Sequence, residues 1–204
     1  MNIIVDYKMG NMRSILYKLQ KENIECIITS NRQEIKNAEK LILPGVGHFK
    51  QAMKNLQELN LIEVLADQVL KNKIPVFGIC LGFQLMAKSS EEGNVRGLGW
   101  IDAEVKRFDF TKIDNNLPVP HLGWCDLSIK KESRLLHNID SNQRFYFTHS
   151  YYMHCNNQKD ILCTSDYGYQ FTAGIERGNI SGVQFHPEKS HKSGFQMLLN
   201  WVNK

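Results

Sequence analysis

The sequence predicts an α/β protein in which a mostly parallel central sheet is flanked by helices and extended by an antiparallel, β-rich portion. In the first half of the 204-residue chain, short apolar runs alternate with amphipathic helical patterns. This alternation is typical of parallel strands joined by crossover helices. In the second half, strand-like runs follow one another with turns between them and no clear helical pattern, which favours an added antiparallel portion.

The first half predicts four strands and four helical segments. Short runs rich in apolar and β-branched residues give strands at Ile3–Asp6, Ile24–Thr29, 40–43 and Ile74–Ile79. Apolar residues at helical spacing give helices at Asn11–Leu19, Asn31–Ala38, Phe49–Leu70 and Leu81–Lys88. Ser30 or Asn31 is the expected N-cap of the second helix. The third segment is one helix, or two helices with a break near Asn60.

The second half predicts strands and one closing helix. The strands are expected at Trp100–Phe108, Leu122–Ile129, Gln143–His154, Ile161–Ser165, Phe171–Glu176 and Ile180–Phe185. The closing helix, His191–Val202, places its apolar residues on one face. The polar stretch 111–116 is expected to be a surface loop.

Length and composition restrict the class of protein. A chain of this size with 42% hydrophobic and 23% charged residues is expected to fold as one domain, residues 1–204. A net charge of +4 does not predict a nucleic-acid partner. The longest apolar runs fall well short of the roughly 20 residues that cross a bilayer, and the first residues do not resemble an export signal.

The cysteines indicate a reducing compartment. There are five, an odd number, and none forms a Cys-x-x-Cys pair, so neither a disulfide framework nor a zinc ribbon is expected. The histidines show no metal-ligand spacing. The sequence therefore predicts a cytoplasmic protein without a metal or another cofactor.

The segment Gly78-Ile79-Cys80-Leu81-Gly82 lies between a predicted strand and a predicted helix. It has the layout of a nucleophile elbow, with Cys in place of Ser. A helix N-terminus favours a thiolate at Cys80, and the Leu81 amide is placed to stabilise an oxyanion. A plain strand-to-helix turn with a buried thiol has the same pattern, so the motif needs a base to support it.

The candidate base is His186. An apolar strand ends at His186 and is followed by Pro187-Glu188. Alternate residues of an extended chain point the same way, and Pro187 keeps the backbone of His186 extended, so Glu188 is expected to orient the imidazole as in a catalytic triad. Taken alone, His-Pro-Glu is a polar turn. If its strand and that of Cys80 belong to one parallel sheet, both side chains reach the same edge.

A second turn offers further backbone donors. The segment Leu43–Gly47 follows a strand and precedes a helix, and its free amides could supply another oxyanion donor. A plain connecting loop would have the same composition. Periodicity does not decide between these two interpretations.

The two motifs together resemble the class I (triad) glutamine amidotransferases. Further blocks extend the resemblance over essentially the whole chain, to the family of glutaminase subunits of imidazole glycerol phosphate synthase. These blocks are Ile4–Asn11, Leu41–Phe49, Val119–Trp124, Phe145–Tyr151 and Gly182–Ser190.

The resemblance implies roles for particular residues. Cys80 attacks the side-chain carboxamide of L-glutamine, His186 shuttles protons and Glu188 holds His186. Leu81 and the Val46–Gly47 segment form the oxyanion hole. The residues that recognise glutamine are Gln84, Glu92, His149, Ser150 and Tyr151.

The resemblance also implies a partner. The family passes ammonia to a (β/α)8-barrel synthase subunit, which makes imidazole glycerol phosphate and an aminoimidazole carboxamide ribonucleotide in histidine biosynthesis. The two subunits form a heterodimer, and the glutaminase is weak until the synthase carries its ligand. The implied interface residues are Met9, Asn11, Trp124, Tyr146 and Lys189, although a core-packing role would also explain each of them.

Two positions depart from the family pattern and leave alternatives open. Position 8 is Lys where many members have Gly, and position 125 is Cys where many have Asn. Lys8 resembles a paralogous amidotransferase that supplies ammonia for amidination of a surface-glycan sugar. A partner-independent γ-glutamyl Cys hydrolase is an alternative of another class. A non-catalytic binding subunit is disfavoured because Cys80, His186 and Glu188 are all present.

Overall fold

The computed structural model describes residues 1–111, 117–140 and 142–203. The loop expected at 111–116 therefore lies, except for Thr111, outside the described residues. The strands of the first half are β1 Asn2–Val5, β2 Cys26–Thr29, β3 Lys40–Gly45 and β4 Val76–Cys80. The helices of this half are α1 Met12–Lys21, α2 Arg32–Lys36, α3 Phe49–Glu58, α4 Leu61–Ala66 and α5 Leu81–Leu85, with a π-helical turn at Asp67–Lys71.

The second half is mostly β-structure. Its strands are β5 Ser89–Ser90, β6 Val95–Arg96, β7 Ala103–Arg107, β8 His121–Cys125, β9 Ser128–Ile129, β10 Phe145–His149, β11 Tyr151–Cys155, β12 Ile161–Asp166, β13 Gln170–Arg177 and β14 Ile180–Val183. Short 3₁₀ turns lie at Arg134–Leu136, Gln158–Asp160 and Pro187–Lys189, and α6 spans His191–Val202.

Among the described residues, one large sheet carries twelve of these strands, in the order β2-β1-β3-β4-β14-β13-β11-β7-β5-β6, with β12 paired to β13 and β9 paired to β12. The strands from β2 to β14 in this order run parallel, and β14, β13, β11 and β7 pair antiparallel. β8 and β10 form a separate antiparallel pair. The predicted fold class is confirmed.

The parallel strands are buried on both faces, as expected of strands covered by crossover helices. Ile3 and Leu41 face a core shared with α3 and α4. Ile4, Ile42 and Phe77 face the opposite core, shared with α1 and α6. Because neighbouring residues of one strand enter different cores, these runs read as continuously apolar. No helix of the described residues is both long enough and apolar enough to cross a membrane.

Two helix predictions are confirmed in detail. The Asn31 side chain accepts hydrogen bonds from the amides of Gln33 and Glu34 at 2.8 and 3.3 Å, so Asn31 rather than Ser30 caps α2. The segment Phe49–Leu70 breaks at Asn60, which adopts a left-handed conformation with φ 54°. Asn tolerates this conformation better than most residues do.

The helix predicted at Leu81–Lys88 is wrong beyond Leu85. The carbonyls that should continue it accept hydrogen bonds from a later segment: Leu85 from the amide of Leu98 at 2.8 Å, Met86 from Trp100 at 2.9 Å and Lys88 from Gly97 at 2.9 Å. A distant segment therefore replaces the helical partners of these groups. Local periodicity carries no information about such pairing.

Two strand predictions are wrong because each joins separate strands. The segment Gln143–His154 is divided at Ser150 into β10 and β11, which lie in different sheets. The segment Leu122–Ile129 is divided into β8, which pairs with β10, and β9, which pairs with β12. Each junction is only one or two residues long, too short to interrupt the strand-like pattern. The short strands β5 and β6 were not predicted.

Candidate active site

Cys80 ends β4 and directly precedes α5. Its backbone has φ 52° and ψ −107°. Residues other than glycine rarely adopt this backbone conformation, and those that do are often found at functional sites. The two flanking glycines, Gly78 and Gly82, are required because neither position has room for a side chain. A Cβ atom on Gly82 would lie 1.7 Å from the Leu43 carbonyl oxygen, and one on Gly78 would lie 2.7 Å from the Phe83 Cα. The sharp turn that presents the sulfur thus depends on both glycines.

Replacing Gly82 by alanine should therefore destabilise the fold by about 3 kcal/mol or more, since the clash is with backbone and not with a flexible side chain. Gly99→Ala is the matched control: a Cβ there meets nothing within 4 Å, but φ is +70°, so about 1–2 kcal/mol is expected from backbone strain alone. Chemical denaturation of both variants measures the difference. If both variants lost the same free energy of unfolding, a steric clash at Gly82 would not be the cause of its loss.

The candidate base lies beside this elbow. β14 pairs in parallel with β4, with Val183 opposite Ile79, so the chain beyond β14 reaches the same sheet edge as Cys80. His186 Nδ1 and Glu188 Oε1 are 2.8 Å apart, and their side chains are 2% and 5% exposed. The expected side-by-side placement is thus present in the structure.

The reason for that placement is different from the one predicted. His186 itself is extended, with φ −98° and ψ 96°, but Pro187–Lys189 form a 3₁₀ turn that brings Glu188 back to the ring. The backbone of His186 is held on two sides. Its amide donates to the Tyr146 carbonyl at 2.9 Å, and its carbonyl accepts from the Ser190 hydroxyl at 2.6 Å.

The electrostatics of His186 favour its protonated form. Burial lowers the pKa of His186, but the interactions with Cys80 and Glu188 outweigh burial, and the pKa is raised to about 10. The other ring nitrogen of His186, Nε2, is buried and has no hydrogen-bond partner among the described residues. The arrangement keeps a proton on the imidazole of His186.

A cavity of about 290 Å³ opens at Cys80. Its described wall contains the sequence-predicted residues Val46, Gly47, Leu81, Gln84, Glu92, His149, Ser150 and Tyr151, together with Pro120 and Thr148, which were not predicted. His186 and Glu188 are buried and are not part of that wall.

Hydrogen bonds connect the cavity wall to the sulfur. Gln84 Nε2 donates to the Tyr151 carbonyl at 2.8 Å and to Gln184 Oε1 at 2.9 Å. Gln184 Nε2 lies 3.8 Å from the Cys80 sulfur. Sequence reasoning missed Gln184, although its position two residues before His186 on an extended segment was a usable signal. Glu92 also lines the cavity, and its carboxylate accepts a hydrogen bond from the Phe49 amide, at the N-terminus of α3, at 2.7 Å.

Two further histidines are buried near the cavity. His121 and His149 are 1% and 7% exposed. Burial lowers the pKa of His121 to about 4. Burial is also the largest influence on His149, whose pKa falls to about 3 although a hydrogen bond to Tyr151 raises it. Both rings are therefore neutral near pH 7.

These lowered pKa values predict loss of stability in acid. Between pH 6.5 and about 4 the unfolded chain binds protons at both histidines while the folded chain does not, so the free energy of unfolding falls as pH falls, by up to about 1.4 kcal/mol per pH unit for each ring. His121→Phe should reduce this slope. The exposed His154 supplies the control, and His154→Gln should retain the slope in denaturation curves measured across this range. A slope unchanged by His121→Phe would contradict the assignment.

Three of the five expected interface residues lie together. Lys189 Nζ lies 5.7 Å from the centre of the Tyr146 ring, and the Trp124 ring lies 5.6 Å from the same ring. His191, which was not predicted, stacks on Trp124 at 4.7 Å. Met9 lies instead beside Gly47 at the cavity, and Asn11 is exposed just before α1.

The two departures from the family pattern have clear positions. Lys8 is exposed and has φ 63°, which accounts for a glycine preference at this position because Gly adopts that conformation without strain. Cys125 ends β8, and its sulfur lies 3.2 Å from His121 Nε2. Within the described ranges, no group of three or more His, Cys, Asp or Glu side chains is arranged to hold a metal ion.

Comparisons with known proteins agree on one family. The model of the family "Glutamine amidotransferase class-I" matches residues 3–203. Two curated relatives named as imidazole glycerol phosphate synthase subunits are HisH of Leptospira borgpetersenii, 44% identical, and HisH 2 of Methanococcus maripaludis, 45% identical; each alignment covers 98% of both chains. A crystal structure of a glutamine amidotransferase shares the fold, with a TM-score of 0.71, 17% identity and 98% of both chains covered. The structure of PurLQS from Thermotoga maritima has the same TM-score at 16% identity, over 99% of this chain and 97% of that one.

Proposed function

Because the chain belongs to the class-I glutamine amidotransferase family, we propose that it is the glutaminase subunit of an imidazole glycerol phosphate synthase, acting in histidine biosynthesis. The curated relatives at 44–45% identity have that name. One structural observation carries the proposal: the cavity at Cys80 is walled by the same residues that the resemblance assigns to glutamine and the oxyanion.

The first half of the reaction forms a thioester. The Cys80 sulfur attacks the side-chain carboxamide carbon of L-glutamine, and the carbon–nitrogen bond breaks. His186, held by Glu188, gives its proton to the departing nitrogen, which leaves as ammonia. The buried ion pair between His186 and Glu188 supports this role, since it keeps a proton on the imidazole next to the sulfur.

The second half releases glutamate. Neutral His186 takes a proton from water, and the resulting hydroxide attacks the thioester carbon. The carbon–sulfur bond breaks, glutamate leaves, and the sulfur regains its starting state with His186 protonated. One glutamine and one water thus give one glutamate and one ammonia.

The oxyanion and the substrate are assigned to different parts of the cavity wall. Leu81 begins α5, and amides of a first helical turn have no partner within the helix. Its N–H, with those of Val46 and Gly47, is proposed to bind the oxyanion. Glu92 and the polar groups of Gln84 and His149–Tyr151 are proposed to recognise the amino-acid end of glutamine.

The partner is proposed to be a (β/α)8-barrel synthase subunit in a heterodimer. The relatives' names describe one subunit of a synthase, which supports a second subunit that uses the ammonia. Trp124, Tyr146 and Lys189, with Met9 and Asn11, are the proposed contacts. The Tyr146 carbonyl accepts a hydrogen bond from the His186 amide. A partner that contacts Tyr146 would therefore touch a residue bonded directly to the proposed base.

The alternative functions are not favoured. The relatives' names point to imidazole glycerol phosphate synthase and not to amidination of a glycan sugar. A partner-independent γ-glutamyl hydrolase does not agree with relatives that are named as subunits. A cytoplasmic location, a single amidotransferase domain over residues 1–204 and the absence of a cofactor complete the proposal. The full-length family match supports the single domain.

Glutamate production by the purified chain tests the proposal. Glutamine is supplied with and without the barrel subunit and its nucleotide ligand. We expect little glutamate from the chain alone and a large increase when partner and ligand are both present. Rapid hydrolysis of γ-glutamyl peptides by the chain alone, with no response to the partner, would contradict it.

A further inference from the structure

The cavity wall continues into a chain of polar groups, two of which, the His121 ring and the Cys125 thiol, have no role in the reaction above. His121 and His149 are directly opposed in the β8–β10 pair, and His121 Nδ1 lies 3.1 Å from His149 Nε2. The other nitrogen of each ring is also engaged. His149 Nδ1 lies 2.8 Å from the Tyr151 carbonyl oxygen, and His121 Nε2 lies 3.2 Å from the Cys125 sulfur. We call these four groups the Cys125–Tyr151 chain.

Only one assignment of protons satisfies this chain with neutral rings. The Tyr151 carbonyl accepts and cannot donate, so the proton of His149 is on Nδ1 and its Nε2 accepts. His121 must then donate from Nδ1, which leaves its Nε2 as an acceptor. The Cys125 thiol therefore donates to His121. The opposite direction would require two acceptors to meet at Tyr151, or a doubly protonated His149 in a buried position.

Packing fixes the rings but does not select the proton position. The His121 ring lies between the rings of Tyr167, at 4.0 Å and 20°, and Phe147, at 5.1 Å and 19°. Phe108 and Phe171 contact His149 at 5.3 Å each. Aromatic neighbours hold the planes of the imidazoles and offer them no strong hydrogen bonds. The choice between the two neutral forms of each ring is therefore made at the ends of the chain, by Cys125 and by the Tyr151 carbonyl.

We propose that Cys125 and His121 are positioning residues for the glutamine cavity, acting through His149 on the carbonyl of Tyr151. This carbonyl also accepts from Gln84, and Gln84, His149 and Tyr151 all line the cavity. Without the Cys125 donor, His121 can carry its proton on Nε2. Its Nδ1 then becomes an acceptor facing the acceptor of His149, and the wall loses one fixed hydrogen bond. The inference rests on the proposed function, because it assigns a consequence for glutamine binding.

The test compares donors at position 125 in the complex with the synthase subunit. Cys125→Ala removes the donor, whereas Cys125→Ser and Cys125→Asn retain one. We expect Cys125→Ala to raise the KM for glutamine about fivefold, equivalent to a hydrogen bond of about 1 kcal/mol, with kcat changed less than about twofold. The Ser and Asn variants should restore the KM. Cys155→Ala removes a buried cysteine that is not part of this chain and should leave both constants unchanged.

A second readout does not depend on activity. Nitrogen-15 spectra of the histidine rings in the chain alone should show His121 and His149 protonated on Nδ1 at pH 7, and Cys125→Ala should move the His121 proton toward Nε2. His121→Phe keeps a ring between Tyr167 and Phe147 and should raise the KM as Cys125→Ala does. Unchanged ring signals and an unchanged KM in Cys125→Ala, with normal turnover by the unaltered complex, would overturn this inference alone. No glutamate from the unaltered complex would instead overturn the proposed function.

Discussion

Cys80→Ala should reduce glutamate production by the complex on the order of 10⁴- to 10⁶-fold in kcat, the loss seen when a catalytic nucleophile is removed. The reason is that no covalent intermediate can form once the sulfur is absent, while the cavity, Gln84 and the oxyanion donors remain. Glutamine should still bind, so calorimetry on the variant should give an affinity close to that of the unaltered complex. Glutamate release over time, measured against a protein-free blank, gives the residual rate.

A buried cysteine away from the cavity supplies the control. The Cys163 thiol is fully buried and its pKa is raised to about 12 by that burial, so it is a packing residue and not a nucleophile. Cys163→Ala should lose some stability and retain turnover. If Cys80→Ala kept even a tenth of the activity, Cys80 would not be the nucleophile.

Glu188→Gln has the second largest expected effect. The change keeps the size of the side chain and an acceptor oxygen for Nδ1 of His186, but it removes the negative charge that lies 2.8 Å from that nitrogen. We expect kcat to fall about 10³- to 10⁴-fold, as for an equivalent change in other triads, with little change in KM. Steady-state kinetics of the complex measures both constants.

The pH dependence separates this role from a structural one. The negative charge of Glu188 helps to raise the pKa of His186, so the variant should lose the imidazolium form at lower pH than the unaltered chain does. The matched control is Glu132→Gln, which removes a charge from an exposed carboxylate and should leave rate and pH profile unchanged. Equal kcat values for Glu188→Gln and the unaltered enzyme would remove Glu188 from the mechanism.

The parallel half of the fold could be predicted from sequence because its signals are local. Each strand is a short β-branched run, and the break at Asn60 and the cap at Asn31 depend on neighbours in the chain. The errors arose where distant segments compete. The carbonyls from Leu85 onward accept hydrogen bonds from the segment around Gly97–Ile101, and Ser150 divides one predicted strand between two sheets. Neither feature changes the spacing of apolar residues along the sequence.

Some residues of the candidate site could be predicted from sequence motifs, others only from the family resemblance, and some not at all. That Cys80 and His186 lie at one sheet edge could be inferred from strand-end motifs and the rule that parallel strands end at one edge, and the structure pairs their strands β4 and β14. The turns themselves indicated Leu81 and the segment with Val46 and Gly47, whereas Gln84, Glu92 and His149–Tyr151 came from family resemblance alone. Gln184, Pro120 and the link from Cys125 to His149 were missed, because each depends on a contact between strands whose pairing was not predicted.

Labelling with an electrophilic analogue of glutamine tests the central claim most directly, namely that the sulfur of Cys80 is the activated nucleophile in a cavity shaped for glutamine. The complex with its nucleotide ligand is treated with a chloroketone analogue of glutamine, digested and mapped by mass spectrometry. The account predicts a single modified cysteine, Cys80, protected by glutamine and labelled far more slowly in Glu188→Gln. Modification of Cys125 or another cysteine in place of Cys80, or labelling that glutamine does not slow, would contradict it.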